Sequence, residues 1–355
     1  MCGIAGLIDF HRNSSEAVLR QCTDVLQHRG PDGSGTLFFE TDQAQVGLGH
    51  RRLSIIDLST AASQPMSYRH YHIVFNGEMY NYAEVRAELE KAGHRFVTHS
   101  DTEVILHAWE TWGTEMIHRF IGMYAFTLYD AQQQCVYIYR DRPGVKPLYY
   151  YWHEGLFLFA SELKSFHQHP GFRKQLHHPA LQQYLQYGYI LAPLSIFEHT
   201  KKLLPGHFLK IDIRRQTIEE QVYWNVYDAY NKPKINISEP DAVEETRKLL
   251  LSACRYRMVA DVPVGVFLSG GYDSSAVTAL LQTSQTEKLK TFTIGFHESD
   301  HNEAPFAKKV AEHLQTDHHD YYCTTKEAQE IIPDIPFFCD EPFGDSSIIP
   351  TTLVS

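Results

Sequence analysis

Met1-Cys2-Gly3-Ile4-Ala5-Gly6-Leu7-Ile8-Asp9-Phe10 opens the chain, and its second residue governs how the rest is read. Removal of the initiator methionine would leave a cysteine whose thiol and free α-amino group sit on one carbon. An α-amine titrates near ~7.7–8.0, so it can act as general base toward its own thiol at neutral pH. The run from Gly3 to Phe10 is apolar and strand-like. A cysteine ahead of such a strand is ordinarily packing, since free cysteine is among the most buried residue types. The remainder of the sequence decides between a catalyst and a core residue.

Working outward, Ser14 or Ser15 caps a helix in which Val18, Cys22, Val25 and Leu26 recur at helical spacing. His28-Arg29-Gly30-Pro31-Asp32-Gly33 is a turn cluster that cannot extend that helix. Strand-like pieces follow at 46–48, 53–56 and 72–75, the last running into Asn76-Gly77-Glu78. The spacing predicts helices over 82–92 and 101–112, each closed by a glycine suited to the left-handed cap, and four more strands at 123–130, 136–141, 147–152 and 156–161. This order fits an α+β domain, two packed sheets flanked by helices in a four-layer αββα arrangement.

A chain of 355 residues that is 43% hydrophobic and 13% aromatic has material for two packed domains. Its net charge of -11, without blocks of like charge, argues against nucleic acid as a partner. The six cysteines show no CxxC spacing, as expected in a reducing compartment. With no basic-then-apolar leader and no run of membrane-spanning length, a cytoplasmic protein without membrane contact is expected.

Residues 176–204 read as a connection containing a short helix at 181–187, followed by a strand at 208–213 and an irregular polar run at 227–239. A helix over 244–258 leads to an apolar run at 262–268 that suits a buried parallel strand. Ser269-Gly270-Gly271-Tyr272-Asp273-Ser274-Ser275 then opens a helix. A strand feeding a glycine-rich turn into a helix N-terminus offers free N–H groups and the positive dipole end to an anion. No lysine follows, so it is not a Walker A loop. A strand at 289–295, a helix at 302–314 and a strand at 317–322 continue an alternation expected of a doubly wound parallel α/β sheet. His297-Glu298-Ser299-Asp300-His301 fits H-E-x-x-H, but it follows a strand and Gly295 and favours a loop over the helix zinc binding requires. The 21 histidines otherwise suggest no ligand cluster.

Five segments, Met1-Cys2-Gly3-Ile4, His28-Arg29-Gly30-Pro31-Asp32, Arg52-Leu53-Ser54-Ile55, Asn76-Gly77-Glu78 and Ser100-Asp101, resemble the glutaminase domain of class II, N-terminal-nucleophile glutamine amidotransferases. The resemblance implies Cys2 as nucleophile, with Asn76 Nδ2 and the Gly77 N–H as the two donors an oxyanion needs. It implies Arg52 on the glutamine α-carboxylate, a planar bidentate task suited to arginine, and Asp101 and Glu78 on the α-ammonium. Arg51 stands beside Arg52, and the family register alone selects Arg52.

The 269–275 loop resembles the pyrophosphate loop of adenylating synthetases. That implies ATP bound by Leu268, Ser269, Gly270, Gly271, Asp273, Ser274, Ser275 and Ile294, with Asp273 helping to place Mg²⁺. Tyr272 stands where that family carries a smaller aliphatic residue. Asp340 to Pro350 also looks like that family, and the segments at 141–150 and 161–164 are taken as structural.

Together the halves resemble the family of glutamine-hydrolysing asparagine synthetases. The implied reaction amidates aspartate with ammonia from glutamine, through β-aspartyl-AMP and pyrophosphate. Expected partners are glutamine, aspartate and ATP, with a homodimer as the expected assembly. The expected division is a glutamine amidotransferase domain at 1–200, a connector at 201–240 and the first part of a synthetase domain at 241–355. Since the resemblance implies further residues beyond Ser355, glutaminase activity is expected of this chain and weak or absent adenylation. Another carboxylate acceptor, a sugar uronate or peptide acid, would keep the same chemistry. A non-catalytic sensor on the same scaffold is the alternative from another class.

Overall fold

The computed structural model describes residues 1–297 and 302–354. All of the H-E-x-x-H motif after His297 therefore lies outside the described residues. The chain forms two units: Met1–Lys232 with Asp340–Phe343, and Pro233–Cys339 with Gly344–Ser355.

Two six-stranded antiparallel sheets build the first unit. One has the order β10-β8-β9-β1-β3-β2, from β1 (Gly3–Asp9), β2 (Gly33–Glu40), β3 (Gln45–Arg52), β8 (Tyr149–His153), β9 (Leu156–Ala160) and β10 (Thr200–Lys202). The other runs β12-β11-β7-β6-β5-β4, from β4 (Met66–Tyr68), β5 (Tyr71–Met79), β6 (Gly122–Asp130), β7 (Cys135–Arg140), β11 (His207–Asp212) and β12 (Thr217–Val222).

The alternation of side chains along each strand makes the layers. On β1, Ile4 and Ile8 join Val74, Val136, Ile138 and Leu209 in a core shared by both sheets, while Ala5 and Leu7 pack with Leu19 and Cys22 of α1 (Glu16–Asp24) and Ala180 of α4 (His178–Tyr187). On the far side, Phe75, Phe126 and Leu128 meet Val85 of α2 (Tyr82–Lys91) and Val104 and Leu106 of α3 (Asp101–Trp112). Each fully buried leucine, isoleucine or phenylalanine contributes roughly 1.5–3 kcal/mol. Because both faces of β1 are covered, all seven of its residues are buried, which is why it reads as an unbroken apolar run.

Three local readings differ from the structure. Residues 53–56 are a loop rather than a strand, because β3 ends at Arg52 and the Asp32 carboxylate accepts the Ser54 N–H at 2.8 Å. Residues 33–40, which follow the turn cluster and for which no element was expected, form the half-exposed edge strand β2. Within the stretch assigned to the connector, the strand expected at 208–213 is found as β11, and β12, for which no strand was expected, pairs with it, so that the two extend the second sheet beyond β7; the short helix α5 (Val226–Tyr230) follows.

In the second unit α6 (Glu239–Tyr256) precedes β13 (Gly265–Phe267), α7 (Tyr272–Thr283), β14 (Lys290–Phe296), α8 (Ala304–Leu314) and β15 (Asp317–Cys323). β14 lies between β13 and β15, parallel to both. β13 is shorter than the apolar run at 262–268 because Pro263 can donate nothing to a ladder. Two small cores hold this unit, one around Cys254, Leu281 and Leu289, the other around Leu268, Ala307 and Ala311. Among the described residues no helix is long and apolar enough to cross a membrane.

Candidate active site

One pocket in the first unit is lined by Met1, Cys2, Arg52, Leu53, Gln64, Asn76, Gly77, Glu78, Asp101, Thr102 and Lys146, among others. Cys2 enters it from the start of β1. Its carbonyl accepts the Arg29 Nε–H at 2.9 Å, and Arg29 is itself held by Glu162 at 2.7 Å. The thiol accepts the Leu53 N–H at 3.3 Å. Burial pushes the Cys2 thiol up and the α-amine, which here belongs to Met1, down.

Backbone parity aims Gly77. Phe75 and Met79 send their N–H groups off the β5–β6 ladder, to Gln64 Oε1 at 2.6 Å and Asp101 Oδ2 at 3.0 Å. Opposite Gly77, Tyr124 has its own N–H and C=O occupied by Asp141. Gly77 therefore sits at a non-hydrogen-bonded pair, and its N–H points off the ladder on the side of Phe75 and Met79. A Cβ at Gly77 would stand 2.4 Å from Met123 O, so the close approach of β6 requires glycine.

Asn76 is fully buried on the same strand. Ser161 Oγ accepts the Ile4 N–H at 3.0 Å and lies 3.5 Å from Asn76 Nδ2, while Asn76 Oδ1 has no partner. The two ends of an amide are assigned from such networks. Exchanging them would give the Ser161 hydroxyl an acceptor and leave Nδ2 as the free end. In that orientation the strand would offer two adjacent donors, a side-chain amide and a backbone N–H.

At the end of β3 the period-2 alternation separates the two arginines. Arg51 turns to Gly30 O at 3.2 Å and Asp24 at 3.3 Å. Arg52 lines the pocket and is braced by the carbonyls of Ser59, at 2.8 Å, and Asp57. Asp101 is the first residue of α3, where Ser100 caps the helix by accepting the Thr102 N–H at 3.0 Å. Burial raises the Asp101 carboxyl to about 6, against the hydrogen bonds it accepts from Met79 and Thr102, and burial likewise raises Glu78.

Lys146 was assigned no role beyond structure from its sequence context, yet it lines this pocket. It is 3% exposed, and among the described residues no carboxylate lies within ion-pair distance of its Nζ. Burial lowers its pKa. The available signal was a lysine set between Val145 and Pro147 at the entry to an apolar strand.

In the second unit the loop after β13 is closed on itself. Ser274 Oγ accepts the Ser269 N–H at 3.2 Å, and the Ser269 and Ser274 hydroxyls lie 3.0 Å apart. Gly270 has φ +84, and a Cβ there would stand 2.7 Å from Ala307 N. Asp273 is exposed in the first turn of α7, and Ser275 Oγ is buried with no partner. A polyphosphate with its Mg²⁺ fits this donor set. Leu268 is buried against Ala307 and Ala311, so backbone is what it can present to a nucleotide; Ile294 lies half-buried on β14. Tyr272 is 97% exposed, so its bulk imposes no packing cost.

Sequence comparison matches residues 1–224 to a family described as glutamine amidotransferase domain, and residues 245–355 to one described as asparagine synthase. A Methanocaldococcus jannaschii protein, named provisionally as a second glutamine-hydrolysing asparagine synthetase, is 37% identical over 100% of this chain and 71% of its own length. Glutamine-hydrolysing asparagine synthetase 1 of Bacillus subtilis is 34% identical over 100% of this chain and 55% of its own. Amidase chry2 of Gibberella zeae is 33% identical over 97% of this chain and 54% of its own. The chain thus spans about half the length of the latter two.

Proposed function

The chain belongs to the family of glutamine-hydrolysing asparagine synthetases, and from that premise we propose that it releases ammonia from glutamine at Cys2 and uses it to amidate aspartate. The observation that carries the reading is the gathering of Cys2, Arg52, Asn76, Gly77, Glu78 and Asp101 around one pocket.

Loss of Met1 makes Cys2 the N-terminal residue. Its amine then takes the thiol proton as sulfur attacks the side-chain carbonyl carbon of glutamine, and Asn76 Nδ2 and the Gly77 N–H receive the oxyanion. Collapse, with the α-amine returning that proton to the departing nitrogen, expels ammonia, and water hydrolyses the thioester to glutamate. Arg52 holds the α-carboxylate through its guanidinium. Glu78 and Asp101 hold the α-ammonium.

In the second unit the 269–275 loop cradles the ATP phosphates with backbone N–H groups and the hydroxyls of Ser269, Ser274 and Ser275. Mg²⁺, held by Asp273, would neutralise phosphate charge there. The aspartate side-chain carboxylate attacks the α-phosphorus, giving β-aspartyl-AMP and pyrophosphate, and ammonia displaces AMP.

The test measures glutamate release from glutamine by the chain and its Cys2→Ala variant; wild-type turnover by the variant would refute the reading. A panel of acids with MgATP, followed by pyrophosphate and amide product in the full-length protein, identifies the acceptor. The similarity to Amidase chry2 favours including acids other than aspartate.

A further inference from the structure

The turn after α2 and one face of α3 bring two histidines and a glutamate together, away from the pocket already described. His94 follows Gly93, and its N–H is fixed by the Leu89 carbonyl at 3.0 Å. His107 and Glu110 are three apart on α3. The His94 and His107 Nδ1 atoms are 2.8 Å apart, and Glu110 Oε2 lies 3.9 Å from His94 Nδ1. All three ligand atoms fall within 4.8 Å of one another.

A cation would give the facing nitrogens of this cluster a common partner. Thr111 donates its hydroxyl to the His107 carbonyl at 2.9 Å, so it accepts from His94 Nε2–H, also at 2.9 Å. That leaves His94 Nδ1 with a lone pair. His107 Nε2 faces Glu103 Oε1 at 3.7 Å and has no hydrogen-bond partner. If Nε2 carries the proton, toward the carboxylate, two lone pairs meet at 2.8 Å. If Nδ1 carries it, a buried bare nitrogen faces a carboxylate. A metal ion between the Nδ1 atoms satisfies every group at once, with both Nε2–H groups donating outward to Thr111 and Glu103.

We propose that His94, His107 and Glu110 bind one zinc-class divalent cation, with the fourth position open toward the surface groove lined by His94, Glu110, Arg69 and Thr111. Ligand bonds of about 2.0–2.2 Å set tetrahedral ligand atoms roughly 3.3–3.5 Å apart. The 2.8 Å and 3.9 Å separations approach that range by small opposite shifts. Tyr68 stacks on the His107 ring at 4.0 Å and Phe96 packs at 4.4 Å, fixing its plane. Arg69 pairs with Glu110 Oε1, which leaves Oε2 for the cation. Bound there, the ion would tie the α2–α3 turn to the helix that begins with Asp101.

The experiment titrates chelator-treated protein with Zn²⁺ by calorimetry, and with Co²⁺ by visible absorption. The variants are His94→Gln, Glu110→Gln and Glu103→Gln, with exposed His319→Gln as control. Expected is one Zn²⁺ per chain and ligand-field bands with Co²⁺. Both should be lost in His94→Gln and Glu110→Gln, weakened about 10–100-fold in Glu103→Gln, and kept in His319→Gln. Circular dichroism establishes that each variant is folded. Wild-type affinity equal to that of folded His94→Gln would overturn the proposal and make the pair a shared-proton hydrogen bond.

Discussion

Asp101 carries opposite consequences for binding and for folding. Its carboxyl is raised by burial to about 6 from 3.8, so the folded state takes up a proton more readily than the unfolded chain. Ionising it therefore costs stability: the cost is absent below about pH 3.8 and complete once pH has risen through about 6. Asp101→Asn is expected to recover up to about 3 kcal/mol at pH 7, read as a flattened pH dependence of chemical denaturation. The same variant should raise KM for glutamine, since only the ionised carboxylate holds an ammonium. Wild-type KM should climb as pH falls through about 6, and a flat profile would separate Asp101 from substrate. Lys146 lowers the pKa of both Glu78 and Cys2. Lys146→Gln should move the acidic limb of kcat/KM to higher pH, whereas a purely structural lysine would change Tm and leave that limb in place.

At the scale of strands and helices, Gly77 shows how little room an active strand leaves. Gly77→Ala should push β5 from β6 against Met123 O and the Tyr124 backbone, costing ~1–3 kcal/mol and lowering kcat by disturbing the adjacent N–H; unchanged denaturation and kcat would contradict this. The elements around it were legible where two periodicities were clean. α3 is found at 101–112 as its spacing predicts, and β1 announces itself because both faces are covered. β2 was not legible, since Gly33, Ser34 and Gly35 spell a turn until β3 supplies the partner that makes them a strand. Residue types in the pocket were legible because each task tolerates few chemistries. Lys146 and the His94–His107 contact were not, because sequence separation of 13 residues says nothing about which turn closes on which helix face.

Over the whole molecule, each unit has its own core, and the two differ in extent. Among the described residues, the first packs three large clusters across four layers, whereas the second relies on two clusters of three buried residues each. Calorimetry is expected to show at least two transitions, the lower from the second unit, with a glutamine analogue raising only the upper one; a single transition with matching van't Hoff enthalpy would contradict it. The chain's return to the first unit at Asp340–Phe343 had no local signature. Asp340 is fixed there by Lys164 at 3.1 Å and Glu341 by Lys202 at 2.6 Å, pairs that only the folded chain brings together. Met1 lines the pocket beside Cys2. On the reaction proposed above, a chain that retains Met1 is a zymogen, waking when an aminopeptidase trims that residue, and an affinity tag fused ahead of Cys2 would keep it asleep by leaving that nitrogen an amide.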